Sequence, residues 1–492
     1  MSPVIQEHYQ LFIENKFVAG TTGETFETRN PATNDLLATL AKANERDVDR
    51  AVKAARKAFP AWSKTPVEER SRMLNALADA IEADIERVAA IDTHEMGRRL
   101  FETTYDQFIA IGHYRYFAAS VLTHEGFGRP IPGGQFIAVR EPLGVCAQIV
   151  PWNVPAIMVA SKLAPALASG NTVVLKPDEN ASISTLELCK KIAHIFPPGV
   201  VNVITGIGEQ TGAALINHPD IDKIAFTGST EVGRLIGQTA ANALLPATLE
   251  LGGKSPVIVF PDVTETDGLI DNLAFAAMYC NGQSCLAGTR LFLHADIYGQ
   301  VIDKLLERLS RAVVGSPTAA DTTLSCLVSA KQGERVMDYI KIGQDEGANL
   351  LLGGQRRMIE GCEAGYFIEP TVFEADNSMR IAQEEIFGPV LSVMKWSNYE
   401  HMIEEANASR YGLASGVYTN DLAMALNTAD LLQTGSVWVN QYFNLMNGTP
   451  FGGYKESGLG REFCHETLNH YTQLKSITLV GSVPDPFYIQ AH

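Results

Sequence analysis

Positive charge is scarce in this sequence. Its 39 Lys and Arg residues face 56 Asp and Glu, a formal net charge of −17 over 492 residues. A general nucleic-acid binder needs a basic face to displace counterions, and anionic membrane surfaces attract basic segments, so neither partner is expected. Long apolar runs are missing as well: none reaches the roughly 18 residues of a membrane-crossing helix. The opening residues Met1–His8 hold neither a basic region nor an apolar core, so no secretory signal is expected. Cysteine is sparse and odd in number: Cys146, Cys189, Cys280, Cys285, Cys326, Cys362 and Cys464. That pattern does not describe a disulfide framework. A cytoplasmic location with free thiols fits these gaps, and one thiol is then a candidate nucleophile. What is present is 46% apolar and 19% charged, the composition of a folded protein with a large core. The length predicts about three domains.

Hydrophobic spacing supplies the elements. Val48, Ala51, Val52, Ala54 and Ala55 predict a helix over 46–58 that Pro60 stops. Thr65-Pro66 reads as an N-cap followed by a first-turn proline. The stripe Leu74, Leu77, Ile81, Ile85 and Val88 then predicts one long amphipathic helix. From Gly144 the rhythm changes. Short apolar runs at 144–150, 172–175, 200–204, 221–226 and 247–251 are spaced widely enough for a crossover helix each time. Near-continuous apolar strands imply a parallel sheet covered on both faces. The alternation restarts after Pro256, with strands at 257–260, 290–293, 390–394 and 416–418, and helices at 297–312, 330–346 and 421–431. The glycine- and proline-rich stretch 122–142 and the alternating tail 474–480 read as arms leaving the body.

Five segments carry chemistry-bearing residues, and each keeps a plainer alternative. Asn281–Cys285 sets a cysteine after a glycine turn, where a nucleophile fits; a buried small hydrophobe is the alternative, and periodicity does not separate Cys285 from Cys280. Glu250 closes an apolar strand, where a desolvated carboxylate suits a general base; an ion pair with Lys254 is the alternative. Asn153, between Val150-Pro151-Trp152 and Val154-Pro155, suits an oxyanion donor or a turn. Phe226–Gly233 is a strand, a glycine turn and a helix start, suited to a phosphate or to a plain βα turn. Lys176 and Glu179 follow a strand end, suited to ribose hydroxyls or to a solvated loop.

In order and spacing, PWNxP, KPxE, GSTxVG, ELGGKSP, GQxC and EEIFGPV, followed by Pro450-Phe451-Gly452-Gly453-Tyr454-Lys455-Glu456-Ser457-Gly458, resemble the aldehyde dehydrogenase family from about residue 10 to 480. The resemblance implies an α/β fold of two Rossmann-like parallel-sheet domains plus a small β oligomerisation arm. The NAD-binding domain would span 1–121 and 143–252, the catalytic domain 253–453, and the arm 122–142 with 467–482. It implies Cys285 as nucleophile, Asn153 as oxyanion donor and Glu250 as the base for deacylation. Trp152, Lys176, Glu179, Gly228, Ser229, Glu385 and Phe387 match cofactor contacts, with NAD expected and NADP possible. The family's Gln-x-x-Lys helix reads here as Gln332-Gly333-Glu334-Arg335, so that pair is not carried over. Val154, Ile157, Met158, Tyr279, Leu286, Tyr442, Leu445 and Phe451 match the substrate tunnel. Members acting on succinic semialdehyde carry arginines where Ser161 and Tyr279 stand, so a medium aliphatic or aromatic aldehyde is expected instead. A homo-oligomer is implied and no metal is expected. A CoA-acylating relative is disfavoured by Glu250. An idle scaffold is disfavoured by Cys285, Glu250 and Asn153 together.

Overall fold

Side-chain alternation along the apolar runs builds the first sheet. In Val145–Ile149 and Thr172–Lys176, Val145, Ala147 and Val174 join one core with Val48, Ala51, Val52 and Ala55 of the helix Glu45–Trp62. Cys146, Val173 and Leu175 join the opposite core with Ile157, Ala160, Leu163 and Leu167 of the helix Pro155–Ala168. Successive residues of a strand point to opposite faces, so a run apolar at every position is what a sheet covered on both sides requires. The computed structural model describes residues 3–263 and 266–482.

This sheet has eight strands, in the order Gly458–Leu459, Ala247–Glu250, Lys223–Thr227, Val145–Ile149, Thr172–Lys176, Val201–Val203, Leu11–Ile13, Lys16–Val18. The central strands from Ala247–Glu250 to Val201–Val203 are parallel. A second sheet of seven strands runs Asn349–Leu352, Thr371–Glu374, Val390–Trp396, Arg290–His294, Pro256–Val259, Ala414–Tyr418, Ser436–Val439. It is parallel except for the antiparallel edge Asn349–Leu352. A separate three-stranded sheet joins Phe127–Ile131, Gly134–Pro142 and Thr472–Val480. The strand Gly458–Leu459 pairs with Ala247–Glu250, so the chain returns to the first sheet after completing the second.

The structure corrects three local expectations. Pro60 does not stop the first helix, which continues to Trp62; a proline in the last turn removes one hydrogen bond, a small loss that burial of Trp62 offsets. Pro66, not Thr65, is the residue before the next helix, because Thr65 Oγ1 is turned back to donate to the Ala61 carbonyl. The long stripe is two helices, Val67–Glu82 and Ile85–Met96. Asp84 breaks the run, its carboxylate held by Arg87 and Lys191. Among the described residues no helix is long and apolar enough to cross a membrane.

Candidate active site

The strand order of the first sheet reverses at Val145–Ile149. Later strands lie to one side as far as Val201–Val203, and the chain then crosses back to lay Lys223–Thr227 on the other side. Such a switch opens a crevice at the carboxyl ends of the strands. Pro151, Trp152 and Asn153 follow one flanking strand, and Gly228 and Ser229 follow the other. All five line a cavity of about 330 Å³. Ser229 caps the helix Thr230–Asn242, its Oγ accepting from the Val232 N–H at 3.3 Å. The far wall comes from the second sheet's side. Phe387, in a left-handed conformation at φ 62°, sets its ring edge-on to Trp152 with centroids 5.4 Å apart. Gln332 Nε2 donates to the Phe387 carbonyl at 2.8 Å, and Arg335 Nη2 to the Glu385 carbonyl at 2.8 Å. Glu385 Oε1 accepts from the Gly253 N–H at 3.1 Å. Burial pushes the Glu385 carboxyl up to about 7, against the pull of that N–H, Arg335 and Lys254.

The loop that carries Cys285 is strained and held. Cys280 and Asn281 both sit at φ 56°, a region that costs a non-glycine residue free energy unless its surroundings impose it. Asn281 supplies that constraint: its Nδ2 donates to Ser325 Oγ (3.1 Å) and the Cys326 carbonyl (3.0 Å), and its Oδ1 accepts from Ser325 N–H (2.8 Å). Gln283 Oε1 accepts from Val328 N–H at 3.1 Å. The result presents Cys285 alone: six of the seven cysteines are buried and Cys285 is partly exposed. Gly252 and Gly253 permit the close packing, since a Cβ on the first would overlap the Glu385 carboxylate and one on the second the Cys285 carbonyl. Asn153 Nδ2 donates to the Gln283 carbonyl at 3.0 Å, a bond that uses one of its two amide hydrogens. Burial, then Glu385 and Glu250, push the Cys285 thiol up to about 12, although the Cys285 and Leu286 N–H groups favour the thiolate.

On the other side of Cys285 lies a second cavity of about 440 Å³. Val154, Ile157, Met158, Tyr279, Leu286, Tyr442, Leu445 and Phe451 all line it. Cys285 and Asn153 are the two residues that line both cavities. Ser161 is not on this wall; it is buried and donates to the Met158 carbonyl at 3.0 Å.

Glu250 ends its strand fully buried, and neither carboxylate oxygen has a hydrogen-bond partner. Its neighbour is not Lys254. The cation beside it is Lys162, whose Nζ lies 2.7 Å from Glu462 Oε1 and donates to Thr227 Oγ1 at 2.7 Å. Burial and then Glu462 push the Glu250 carboxyl well above the usual carboxylate range, against the pull of Lys162 and Arg461. Glu250 lines neither cavity and sits against Gly452.

Of the cofactor residues named from sequence, Trp152, Gly228, Ser229, Glu385 and Phe387 come together in the first cavity. Lys176 and Glu179 do not reach its wall; they pair with each other at 3.2 Å past the end of Thr172–Lys176. Tyr339, Arg410 and Tyr411 on that wall, and Phe101, Tyr105, Ile109, Phe275, Phe443 and Phe463 around the second cavity, were not singled out from the sequence. Gln332 and Arg335, set aside because arginine replaces the expected lysine, both line the first cavity.

Fold and site define a class: paired parallel-sheet α/β units with a thiol at the seam between a crevice at strand ends and an apolar cavity. The aldehyde dehydrogenase family model matches residues 17–477. Among solved structures, an aldehyde dehydrogenase from Bacillus cereus, in its NAD+ complex, is 41% identical and superposes with a TM-score of 0.94, covering 97% of each chain. An NAD-dependent aldehyde dehydrogenase from Sinorhizobium meliloti is 34% identical, TM-score 0.95, covering 99% of each chain. A betaine aldehyde dehydrogenase from Staphylococcus aureus, a point mutant in complex with NAD+, is 33% identical, TM-score 0.95, covering 98% of this chain and 99% of its own. The chain belongs to the aldehyde dehydrogenase family, oxidoreductases acting on aldehydes.

Proposed function

We propose that the protein is a hydrolytic, NAD-dependent aldehyde dehydrogenase acting on medium aliphatic or aromatic aldehydes. The observation that carries this reading is the position of Cys285 and Asn153, the two residues on the walls of both cavities. The crevice suits a dinucleotide. Gly228 and Ser229 at a helix start suit the pyrophosphate, Trp152 and Phe387 give an aromatic wall, and the buried Glu385 carboxyl suits a ribose hydroxyl. NAD, when bound there, supplies the hydride acceptor. Lys176 and Glu179, outside the cavity wall, would serve the adenosine ribose. The Glu179 carboxylate repels a 2′-phosphate and so favours NAD, while Lys176 beside it leaves NADP usable.

The Cys285 thiol gives up its proton to water, and its sulfur attacks the aldehyde carbon, whose C=O π pair moves to oxygen, giving a thiohemiacetal oxyanion. The new oxyanion takes hydrogen bonds from the free Asn153 amide hydrogen and the Cys285 N–H. After hydride loss a thioester remains on Cys285. Glu250, once its carboxyl turns out past Gly452, takes a proton from water as that water attacks the thioester carbonyl. The acid leaves and the thiol is restored. The second cavity's lining is mostly aromatic and aliphatic, and its one charged residue, Glu102, is paired with Arg98 and Arg99, which supports a neutral apolar aldehyde. The sheet of Phe127–Ile131, Gly134–Pro142 and Thr472–Val480 is read as an oligomerisation arm, and the cytoplasm as the location. Following absorbance of reduced cofactor over an aldehyde panel, with NAD, NADP and CoA varied, tests the reading. The expected result is oxidation without CoA, fastest with NAD and apolar aldehydes. Strict dependence on CoA, or no turnover of any aldehyde, would overturn it.

A further inference from the structure

We infer that Arg98 is a positioning residue for acyl transfer at Cys285: it holds the main chain of Asn153 so that the amide meets the oxyanion, an assignment that rests on the reading of Cys285 and Asn153 above. Arg98 lies between the helices Ile85–Met96 and Leu100–Ser120. It is fully buried, and burying a guanidinium is costly unless it is paired. Its Nη1 donates to Asp106 Oδ2 and, at 3.0 Å, to the Asn153 carbonyl. Its Nη2 donates to Tyr279 Oη at 3.3 Å, and Tyr279 Oη in turn donates to Asp106 Oδ1 at 3.1 Å. Nε stands 3.6 Å from Glu102 Oε2. Glu102 Oε1 accepts from Arg99 at 2.7 Å and from the Cys280 N–H at 3.4 Å.

One cation thus ties together three of the segments that line the second cavity: the helix bearing Phe101 and Tyr105, the Asn153 turn, and the strained loop leading to Cys285. Asn153 is gripped at both ends, its carbonyl by Arg98 and its amide by the Gln283 carbonyl. Arg98 and Arg99 are balanced by Glu102 and Asp106, so the cluster leaves no spare charge for a substrate. Its work is geometric. A planar fork can serve Asp106, Asn153 and Tyr279 at once; a lysine ammonium in the same place keeps the charge but cannot reach all three in plane.

Arg98→Lys tests this in two reactions. The first is aldehyde oxidation with NAD. The second is hydrolysis of p-nitrophenyl acetate without cofactor. There the Cys285 sulfur bonds to the acyl carbon, the bond between that carbon and the aryloxy oxygen breaks to release p-nitrophenolate, and water then gives acetate and the free thiol. Both reactions pass through an oxyanion at the Asn153 amide. Displacing a catalytic group by about 1 Å can cost roughly 10²-fold, so Arg98→Lys should slow both reactions by roughly 10- to 100-fold in kcat, with aldehyde KM and NAD binding unchanged. In an Asn153→Ala background the same substitution should cost almost nothing more, because the group it positions is gone. If Arg98→Lys does not fold, Asp106→Asn, which keeps the guanidinium but loosens its anchor, is compared in the same two backgrounds and should show the same split. Normal rates in the single variant, or losses that multiply in the double variant, overturn the assignment. An unaltered protein that hydrolyses the ester but oxidises no aldehyde overturns the dehydrogenase reading and leaves the Arg98–Asn153 coupling measurable in the ester reaction. Failure of both reactions in the unaltered protein overturns both.

Discussion

Cys285, the proposed nucleophile, is a thiol whose thiolate its surroundings disfavour. Burial and the nearby Glu385 and Glu250 carboxylates push its thiol up to about 12, so the protonated form dominates at neutral pH. Alkylation of Cys285 by iodoacetamide should therefore be slow at neutral pH and still rising beyond pH 9, with no plateau in the usual thiol range. Mass mapping of the labelled peptide reads this directly, and a plateau near pH 7 would contradict it. Cys285→Ala should abolish dehydrogenase activity and leave the fold intact, whereas Cys280→Ala should keep activity because that thiol is fully buried. Glu250, the proposed base, is also disfavoured in its charged form. Its carboxyl is raised well above the carboxylate range, by burial first and Glu462 next, so the neutral acid dominates at low pH and the base form grows as pH rises. Turnover limited by deacylation should climb with pH for that reason. Glu250→Gln should remove the climb and stall the enzyme after hydride transfer, since general-base catalysis is worth about 10²–10⁴-fold. The expected trace is a burst of reduced cofactor near one per Cys285, followed by slow turnover, with an acyl adduct visible by intact mass. Loss of the burst itself would instead place Glu250 before acylation.

At the scale of elements, the loop from Tyr279 to Cys285 owes its shape to a partner 44 residues away. Asn281 makes three hydrogen bonds to Ser325 and Cys326 while holding a left-handed backbone. Asn281→Ala removes all three and leaves a residue that tolerates that backbone less well. Each buried group left unpaired costs about 1–3 kcal/mol, so the variant should melt several degrees lower and lose most of its turnover while NAD still binds. Unchanged melting and turnover would show that the loop holds its shape without Asn281. This contact also marks what the sequence could and could not show. The strands were legible because a run such as Thr172–Lys176 is buried at every position, and two-sided burial writes itself as continuous apolar residues. Pro151, Trp152, Asn153, Gly228 and Ser229 follow strand ends on the cavity wall, so locating those strands located them. Arg98 was not legible. Between Gly97 and Arg99 it reads as a solvated loop charge, and two of its partners, Asn153, 55 residues on, and Tyr279, 181 residues on, lie outside any local window. The break at Asp84 and the helix running through Pro60 escaped for a similar reason: Lys191 and the packing of Trp62 lie outside any local window.

At the scale of the whole molecule, the three-stranded sheet poses a physical problem. Thr472–Val480 pairs with Gly134–Pro142 along its full length, from Thr472 opposite Pro142 to Val480 opposite Gly134, and Phe127–Ile131 closes the other side. A small sheet needs an apolar face packed against something to be stable. Here Phe127, Leu474, Leu479 and Val480 are each at least half exposed, and Thr472–Val480 offers an open edge, which proteins normally cover or blunt. A second copy of the chain, as in the proposed oligomer, would meet both needs, by covering the apolar side chains and by pairing with the edge. No residue lining either cavity lies beyond Phe463, so removing the strand should disturb assembly before it disturbs the chemistry. Ending the chain after Tyr471 should therefore lower the molar mass measured by light scattering during size-exclusion chromatography, from a multimer towards a smaller species. Melting temperature should fall with it, since each copy loses a stabilising partner. Activity per protomer should fall less than assembly does, with aldehyde KM close to that of the full chain. A full-length chain that runs as a monomer, or a shortened chain of undiminished mass, would mean that the sheet serves the protomer alone and that its exposed apolar residues need another explanation.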